Sequence, residues 1–492
     1  MSELCSNLVR LAAAAIVVTI ATTGWGAVGA AAAAGPDGSS VEAVATLTPA
    51  LDSIVQRALN DPWAYERLGE LCDHVGARLT GSEGMRRASA WAATTMTEAG
   101  FDSVWTEPVT VPVWERGREW ARCTDPVPFD LDMLGLGQSD GTGPGGIEAE
   151  VLAVRDFEEL EARAAEAAGK IVLFDPPWEG YGKTVRYRGD GASAAARHGA
   201  VACLIRSVTD SSLATPHTGM MRYDETAPRI PVAAITVEDA GRLRRLADAG
   251  LKPRVRLMME ARNLGDGPCL NTLGDVRGRE QPDQIVLVAG HLDAWDTGTG
   301  AHDDGAGCLI ALAAVRLLKD LDLVPRRTLR VVLYTAEEIG GHGGRAYRDL
   351  HAGELPRHVL ALESDSGAFA PRGFGVRASE PVLAHLQEIG AVISPLLAPH
   401  LERSEALEIE QGWAGVDIQP VVEEGVPGVG HRVHGDRYFH YHHSPADTFD
   451  KIDPAHLAQN VAAVAALIYA VAEAPQSLRD LAVPPAPGGS TH

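Results

Sequence analysis

Three apolar, β-branched runs that each end in histidine or carboxylate constrain this chain more than any other feature. They are "IVLVAGHLD" (285–293), "TLRVVLYTAEE" (328–338) and "HVLALESDSG" (358–367). Short apolar runs of this kind read as buried strands. Between the first two, "AGCLIALAAVRLLKDL" (306–321) has helical periodicity after a glycine-rich start, and "DPAHLAQNVAAVAALIYAVAEA" (453–474) reads as a helix opened by Asp453 and Pro454. Strands alternating with helices predict an α/β fold built on a mostly parallel sheet. In such sheets ligands bind beyond the carboxyl ends of the strands, and that is where the polar residues of this chain collect.

Charge narrows the partners. With 66 acidic against 43 basic residues the net charge is −23, which argues against nucleic acid or an anionic membrane surface as partner, since both would be repelled. The length, 492 residues, allows two or three domains, and 45% hydrophobic residues is ordinary for a globular chain.

The first residues differ from the rest. "LVRLAAAAIVVTIATTGWGAVGAAAAAGPDGSS" has one Arg, a long uncharged apolar run, then small residues offering A-x-A cleavage sites. This is the layout of a secretory signal peptide, expected over 1–34, so the mature chain is expected to be secreted or periplasmic and free of the membrane after cleavage. No later stretch reads as about 18 residues of sufficient apolarity to span a bilayer. Six cysteines stand at 5, 72, 123, 203, 269 and 308, of which Cys5 would leave with the signal. The other five show no C-x-x-C spacing, so neither a structural zinc knuckle nor a redox dithiol is expected; one disulfide stays open, with no pair chosen.

From 119 to 264 the texture changes. The glycine-rich "LGLGQSDGTGPGG" is followed by "AEVLAV", "KIVLFDPP", the helix-like "ASAAARHGA", "VACLIRS" and "IPVAAITVEDAGRLRRLADAG". This reads as a small β-rich domain inserted into the first, which then spans 41–118 and 265–476, with a Pro/Gly-rich tail at 477–492. Two short matches inside the insertion carry no function. "GQSDG" (137–141) fits the G-x-S-x-G nucleophile pattern in letters, but no strand leads into it and no helix follows. "RGD" (188–190) is a three-letter coincidence.

The strand-end residues form the chemical core of the reading. "GHLDAWDTGTGAHDDGAG" (290–307) supplies His291 and, twelve residues on, Asp303; "TAEEIGG" supplies Glu337 and Glu338; "ESDSG" supplies Asp365; "HHSPADT" supplies His443. Two imidazoles with several carboxylates suit zinc better than calcium, which prefers oxygen alone. The excess of carboxylates suggests two Zn2+ per chain sharing a bridging ligand, an arrangement typical of hydrolases. Adjacent carboxylates repel unless a cation holds them. Past the strand end Glu338 can coordinate metal while Glu337 faces the attacking water as general base.

In this order GHLD, AHDDGAG, TAEEIGG, ESDSG and HHSPADT resemble the M28 zinc aminopeptidase family, in its carboxypeptidase Q (plasma glutamate carboxypeptidase) branch. The likeness extends to "LCDHVGARLTGSEGMRRASAWAATTMTEAGF", "LGLGQSDGT", "TPHTGMMRYDETAPRIPVAAITVEDA" and the "GVPG" turn at 425–428. It implies a mixed α/β sheet with helices on both faces and a protease-associated domain as the insertion. Carried over, it implies that His291, Asp303 and Asp365 bind one zinc, that Asp303, Glu338 and His443 bind the other, and that Glu337 is the general base. It also implies a cis bond between Asp303 and Asp304, and it places Asp293 where a carboxylate orients the His291 ring. His302, His342, His434, His440 and His442 carry no role in this reading, because His443 alone has the H-x-x-x-D spacing to Asp447.

The implied function is a dizinc exopeptidase, an aminopeptidase or dipeptidase, acting on dipeptides or short peptides in a cleft partly walled by "GWAGVDIQP" (412–420) and "GVPG". A homodimer is implied by the family alone. Two readings compete: a glutaminyl-cyclase-like acyltransferase with one zinc, and a non-catalytic binding ectodomain that has lost metal ligands. Retention of every ligand position argues against both.

Overall fold

The computed structural model describes residues 44–401 and 406–482; the segment expected to be a signal peptide and most of the tail lie outside them. The main sheet has eight strands. Their spatial order is Ser103–Glu115, Arg262–Val276, Arg327–Tyr334, Gln281–His291, His358–Glu363, Gly428–Val433, Pro371–Arg377 and Glu408–Gln411. The four central strands run parallel, and antiparallel pairs flank them. The expected α/β class, with a mixed, mostly parallel sheet, is what forms.

Parallel strands sit in the middle because both of their faces are apolar. Every residue of Arg327–Tyr334 is buried. In Gln281–His291 alternate side chains enter opposite layers: Val286 and Val288 join one apolar cluster, Ile285, Leu287 and Ala289 another. The first cluster is completed by the helices Thr48–Leu59, Ala306–Asp320 and Pro454–Glu473, the second by His342–Leu350 and Gln419–Glu423. Helices therefore cover both faces. The helix Ala306–Asp320 can lie against the strand ends only because glycine stands at 290 and 307. A Cβ at Gly307 would fall 1.8 Å from the Ser364 carbonyl oxygen, and one at Gly290 would fall 2.6 Å from Asp304 Oδ2.

Two helices, Glu380–His400 and Pro454–Glu473, are long and apolar enough to pass a membrane-span test, contrary to the expectation that no later stretch would. In Pro454–Glu473 this apolarity has another use: Leu457 to Ala472 is almost wholly buried between the sheet and neighbouring helices. Asp453 caps the helix, accepting from the amides of Ala455 and His456 at 2.8 and 3.2 Å.

A second eight-stranded sheet forms entirely between 119 and 259, with four parallel strands at its centre (Ile147–Val154, Ile171–Phe174, Ala202–Arg206, Val232–Ile235). Helices Tyr181–Arg197 and Val237–Asp248 pack on it. The chain leaves the main sheet along Ser103–Glu115 and returns along its antiparallel neighbour Arg262–Val276. Leu478–Ala482, within the expected tail, forms a short helix with Leu478 buried. All five described cysteines are free and buried.

Candidate metal centre

Each candidate ligand is delivered by the end of a different element. His291 is the last residue of its strand, Glu337 and Glu338 follow Tyr334, Asp365 follows Glu363, Asp303 precedes the helix Ala306–Asp320, and His443 follows the short helix Tyr438–Tyr441. The turns are tight: Ala336 and His443 both adopt the left-handed region, at φ 62° and 59°. Non-glycine residues persist there only where their surroundings over-determine them.

The side chains converge on Asp303. One of its oxygens lies 3.2 Å from His291 Nε2, which is also 3.5 Å from Asp365 Oδ1. The other oxygen lies 3.3 Å from His443 Nε2, which is 2.8 Å from Glu338 Oε2. His291 Nε2, Asp303 Oδ2, Glu338 Oε1 and Asp365 Oδ1 are buried and have no hydrogen-bond partner among the described residues. Buried polar atoms are normally satisfied. One imidazole nitrogen and three carboxylate oxygens left unpaired in one cluster, with His443 Nε2 beside them, form the donor set that a divalent cation such as zinc completes.

The surroundings hold these groups in place. Asp447 accepts from the amides of His302 and Asp303 at 2.8 and 3.1 Å. The peptide between Asp303 and Asp304 is cis. The Asp304 carboxylate accepts from the His291 amide (3.0 Å) and the Gly307 amide (3.0 Å), tying the strand end to the helix start. Arg78, fully buried, donates to the carbonyls of Leu292, Thr299 and Gly300 at 2.7, 2.5 and 2.9 Å, pinning the loop between His291 and Asp303. Asp293 differs from expectation. Its backbone carbonyl, at 2.9 Å, is what His291 Nδ1 meets, while its carboxylate stands 3.8 Å away. That carboxylate accepts instead from the Glu337 amide (3.2 Å) and from Thr80 Oγ1 (2.6 Å).

Electrostatics match a site built for cations. Burial, reinforced by Asp365, Glu338 and Asp417, pushes the Glu337 carboxyl well above the ordinary carboxylate range. Burial alone would lower His291, but Asp365 and Asp303 overturn it and raise its pKa well above the usual value.

A cavity of about 850 Å3 opens over this cluster. Asp303, Glu337, Glu338 and Asp365 line its floor, and Arg188 and Met220 come to it from segments flanking the second sheet. Of the stretch 412–420, Trp413 and Val416 line it, both exposed; residues 425–428 do not, since Gly428 begins a buried strand.

Three residues at the site had no role in the sequence reading. Trp295 Nε1 donates to Glu338 Oε2 at 2.6 Å; its only signal was its place inside "HLDAWD". His442, expected to be a bystander, stacks on His443 with ring centroids 3.5 Å apart and has Nε2 3.7 Å from Asp303 Oδ2. Arg188, dismissed within "RGD", is buried with Nη1 3.2 Å from His443 Nδ1. Gly219 makes room for it: a Cβ there would fall 2.4 Å from the guanidinium carbon. No periodicity marks such a cross-chain contact. The other bystander histidines lie elsewhere; His302, for example, stacks between Phe369 and Tyr441. Ser139 of "GQSDG" is fully buried, its hydroxyl donating to the Asp140 carbonyl and accepting from the Val232 amide.

Comparison with known proteins identifies the family. Residues 271–468 match the model of peptidase family M28. The chain is 42% identical over 415 residues to human carboxypeptidase Q, spanning 84% of this chain and 86% of that protein, and 43% identical to the Xenopus laevis protein of the same name, spanning 84% and 87%. Among solved structures, a peptidase M28 precursor from Shewanella amazonensis superposes with a TM-score of 0.83 at 35% identity, covering 91% of this chain and all of that one. A zinc aminopeptidase from Bacillus subtilis shares the fold, with a TM-score of 0.63 at 21% identity over 82% of this chain and 93% of that one. The chain belongs to peptidase family M28, among the homologues of carboxypeptidase Q, and is a metallopeptidase.

Proposed function

We propose that the protein is a secreted dizinc exopeptidase that hydrolyses dipeptides or short peptides. The observation that carries this is Asp303, whose two oxygens face two separate donor groups, His291 with Asp365 and His443 with Glu338. His291, Asp303 and Asp365 would hold one zinc, and Asp303, Glu338 and His443 the other. Zinc bound there supplies the Lewis acidity that makes a water proton removable near neutral pH and polarises the scissile carbonyl.

The protein's own share is positioning and proton transfer. Asp293 fixes the Glu337 backbone, so the Glu337 carboxylate faces the cavity where the peptide bond enters. Glu337 accepts the proton of the attacking water as the new C–O bond forms. It returns that proton to the amine nitrogen as the C–N bond breaks. In this reading residues 119–264 are a protease-associated insertion in the peptidase domain 41–118 and 265–476, and residues 1–34 are a cleaved signal peptide. Homodimerisation enters only through the family, and sedimentation equilibrium tests it.

The deciding experiment is a dipeptide-library hydrolysis screen on the zinc-loaded protein with its metal content measured. Hydrolysis with two zinc ions per chain is expected. One zinc at saturation together with cyclase activity would favour an acyltransferase, and neither metal nor hydrolysis would favour a binding protein.

A further inference from the structure

The segment that carries His443 is gripped by residues far away in sequence. Thr209 Oγ1 donates to the Phe439 carbonyl (2.7 Å), His217 Nδ1 meets the His442 carbonyl (2.7 Å), and the Thr218 amide donates to the His443 carbonyl (2.9 Å). Asp210 stands 3.4 Å from His440 Nε2. A carbonyl only accepts, so His217 holds its proton on Nδ1. These partners are themselves anchored on the second sheet. The His217 amide donates to Ser207 Oγ (2.9 Å), and Ser207 Oγ donates to the Ile235 carbonyl (2.7 Å) at the end of its strand. Thr218 Oγ1 donates to the Gly135 carbonyl at 2.8 Å.

Two candidate ligands are not delivered by strand ends, Asp303 and His443, and this grip falls on the second. His443 sits past a four-residue helix, in the left-handed region. A side chain in such a conformation keeps its direction only while its two flanking peptides are held. His217 is 2% exposed and its ring bonds to a backbone carbonyl, that of His442, so its influence on the site runs through the backbone.

We propose that His217 is a positioning residue for the metal site: its Nδ1–H on the His442 carbonyl, acting with the Thr218 amide on His443, fixes the backbone that aims His443 Nε2 at Asp303 and Glu338. This rests on the reading of His443 as a zinc ligand. It gives the "TPHTGMM" stretch a task, and it makes the second sheet part of the peptidase site.

The test is zinc affinity, measured by chelator competition on the full chain, beside kcat, KM and melting temperature. His217→Phe keeps the ring and loses the donor. It is expected to weaken one of the two zinc ions by about 10- to 100-fold, the usual effect of removing a group that orients a ligand. KM should hold, and kcat should recover as zinc is raised. His217→Asn, whose Nδ2 stands near the Nδ1 position, should restore affinity. Val172→Ala, in the second sheet's own core, should lower the melting temperature without changing zinc affinity. Should the Phe variant fail to fold, Thr209→Val is expected to weaken the same zinc. A His217→Phe protein with both zinc affinities at wild-type levels overturns the positioning role alone. A wild-type protein that takes up no zinc overturns the ligand reading and the positioning role with it.

Discussion

Replacing Glu337 by Gln separates chemistry from architecture, because the two respond with opposite sign. The side chain keeps its size, and the Glu337 amide keeps its bond to Asp293 Oδ1, so the loop has no reason to move. What is lost is the base. A positioned acid/base group contributes roughly 10²- to 10⁴-fold, so kcat should fall by that factor, or about 2.7–5.5 kcal/mol of barrier. KM should change little, because the lost interaction belongs to the transition state. Stability runs the other way. The carboxyl pKa of Glu337 is raised by burial and by Asp365, Glu338 and Asp417, so its ionised form costs folding energy at any pH above the ordinary value of 4.5. The metal-free variant should therefore melt at or above the wild-type temperature. Glu338→Ala is the contrast, since it removes a proposed ligand and should lose zinc. The assays are steady-state kinetics on a dipeptide, elemental zinc analysis and thermal melts of metal-free protein. A Glu337→Gln protein that keeps both zinc ions and most of its turnover would refute the assignment.

Three further outcomes are expected. Trp295→Phe removes the 2.6 Å bond to Glu338; hydrogen bonds to charged groups are worth about 1.5–3 kcal/mol, so denaturant unfolding should register a loss of that size, with weaker zinc binding in chelator competition. Arg78→Met strands the carbonyls of Leu292, Thr299 and Gly300 and should cost at least about 3 kcal/mol in the same unfolding measurement. His351 gives a pH signature away from the metal site: burial lowers its pKa, but hydrogen bonds to Glu107 and Glu354, at 2.8 and 2.9 Å, overturn this and raise it. Its contribution is therefore complete below pH 6.5, the unfolded value, and fades as pH rises through the higher folded value. Melting curves of wild type and His351→Phe should differ most below pH 6.5 and converge above it.

The amino-acid sequence by itself determined the α/β class, the central parallel strands and the histidines and carboxylates that converge on Asp303, though not Trp295, His442 or Arg188 beside them. Each of these is written locally. A strand buried on both faces must be largely apolar, as in 285–289 and 331–334, and a polar residue at its end is therefore conspicuous. The paired glutamates after Tyr334, the Asp303 segment and His443 could be read in the same way. Tertiary structure alone decided which atoms meet. Asp293 uses its carbonyl on His291 and its carboxylate on Glu337, a choice set by a turn and not by residue type. The helix Pro454–Glu473 has a composition that would suit a bilayer; packing between the main sheet and its neighbours is what occupies its apolar surface. Arg188 and His217 reach the His443 segment across more than two hundred residues of chain. Such contacts leave no periodicity and no spacing, because they depend on where the second sheet docks, and docking is a property of two folded surfaces.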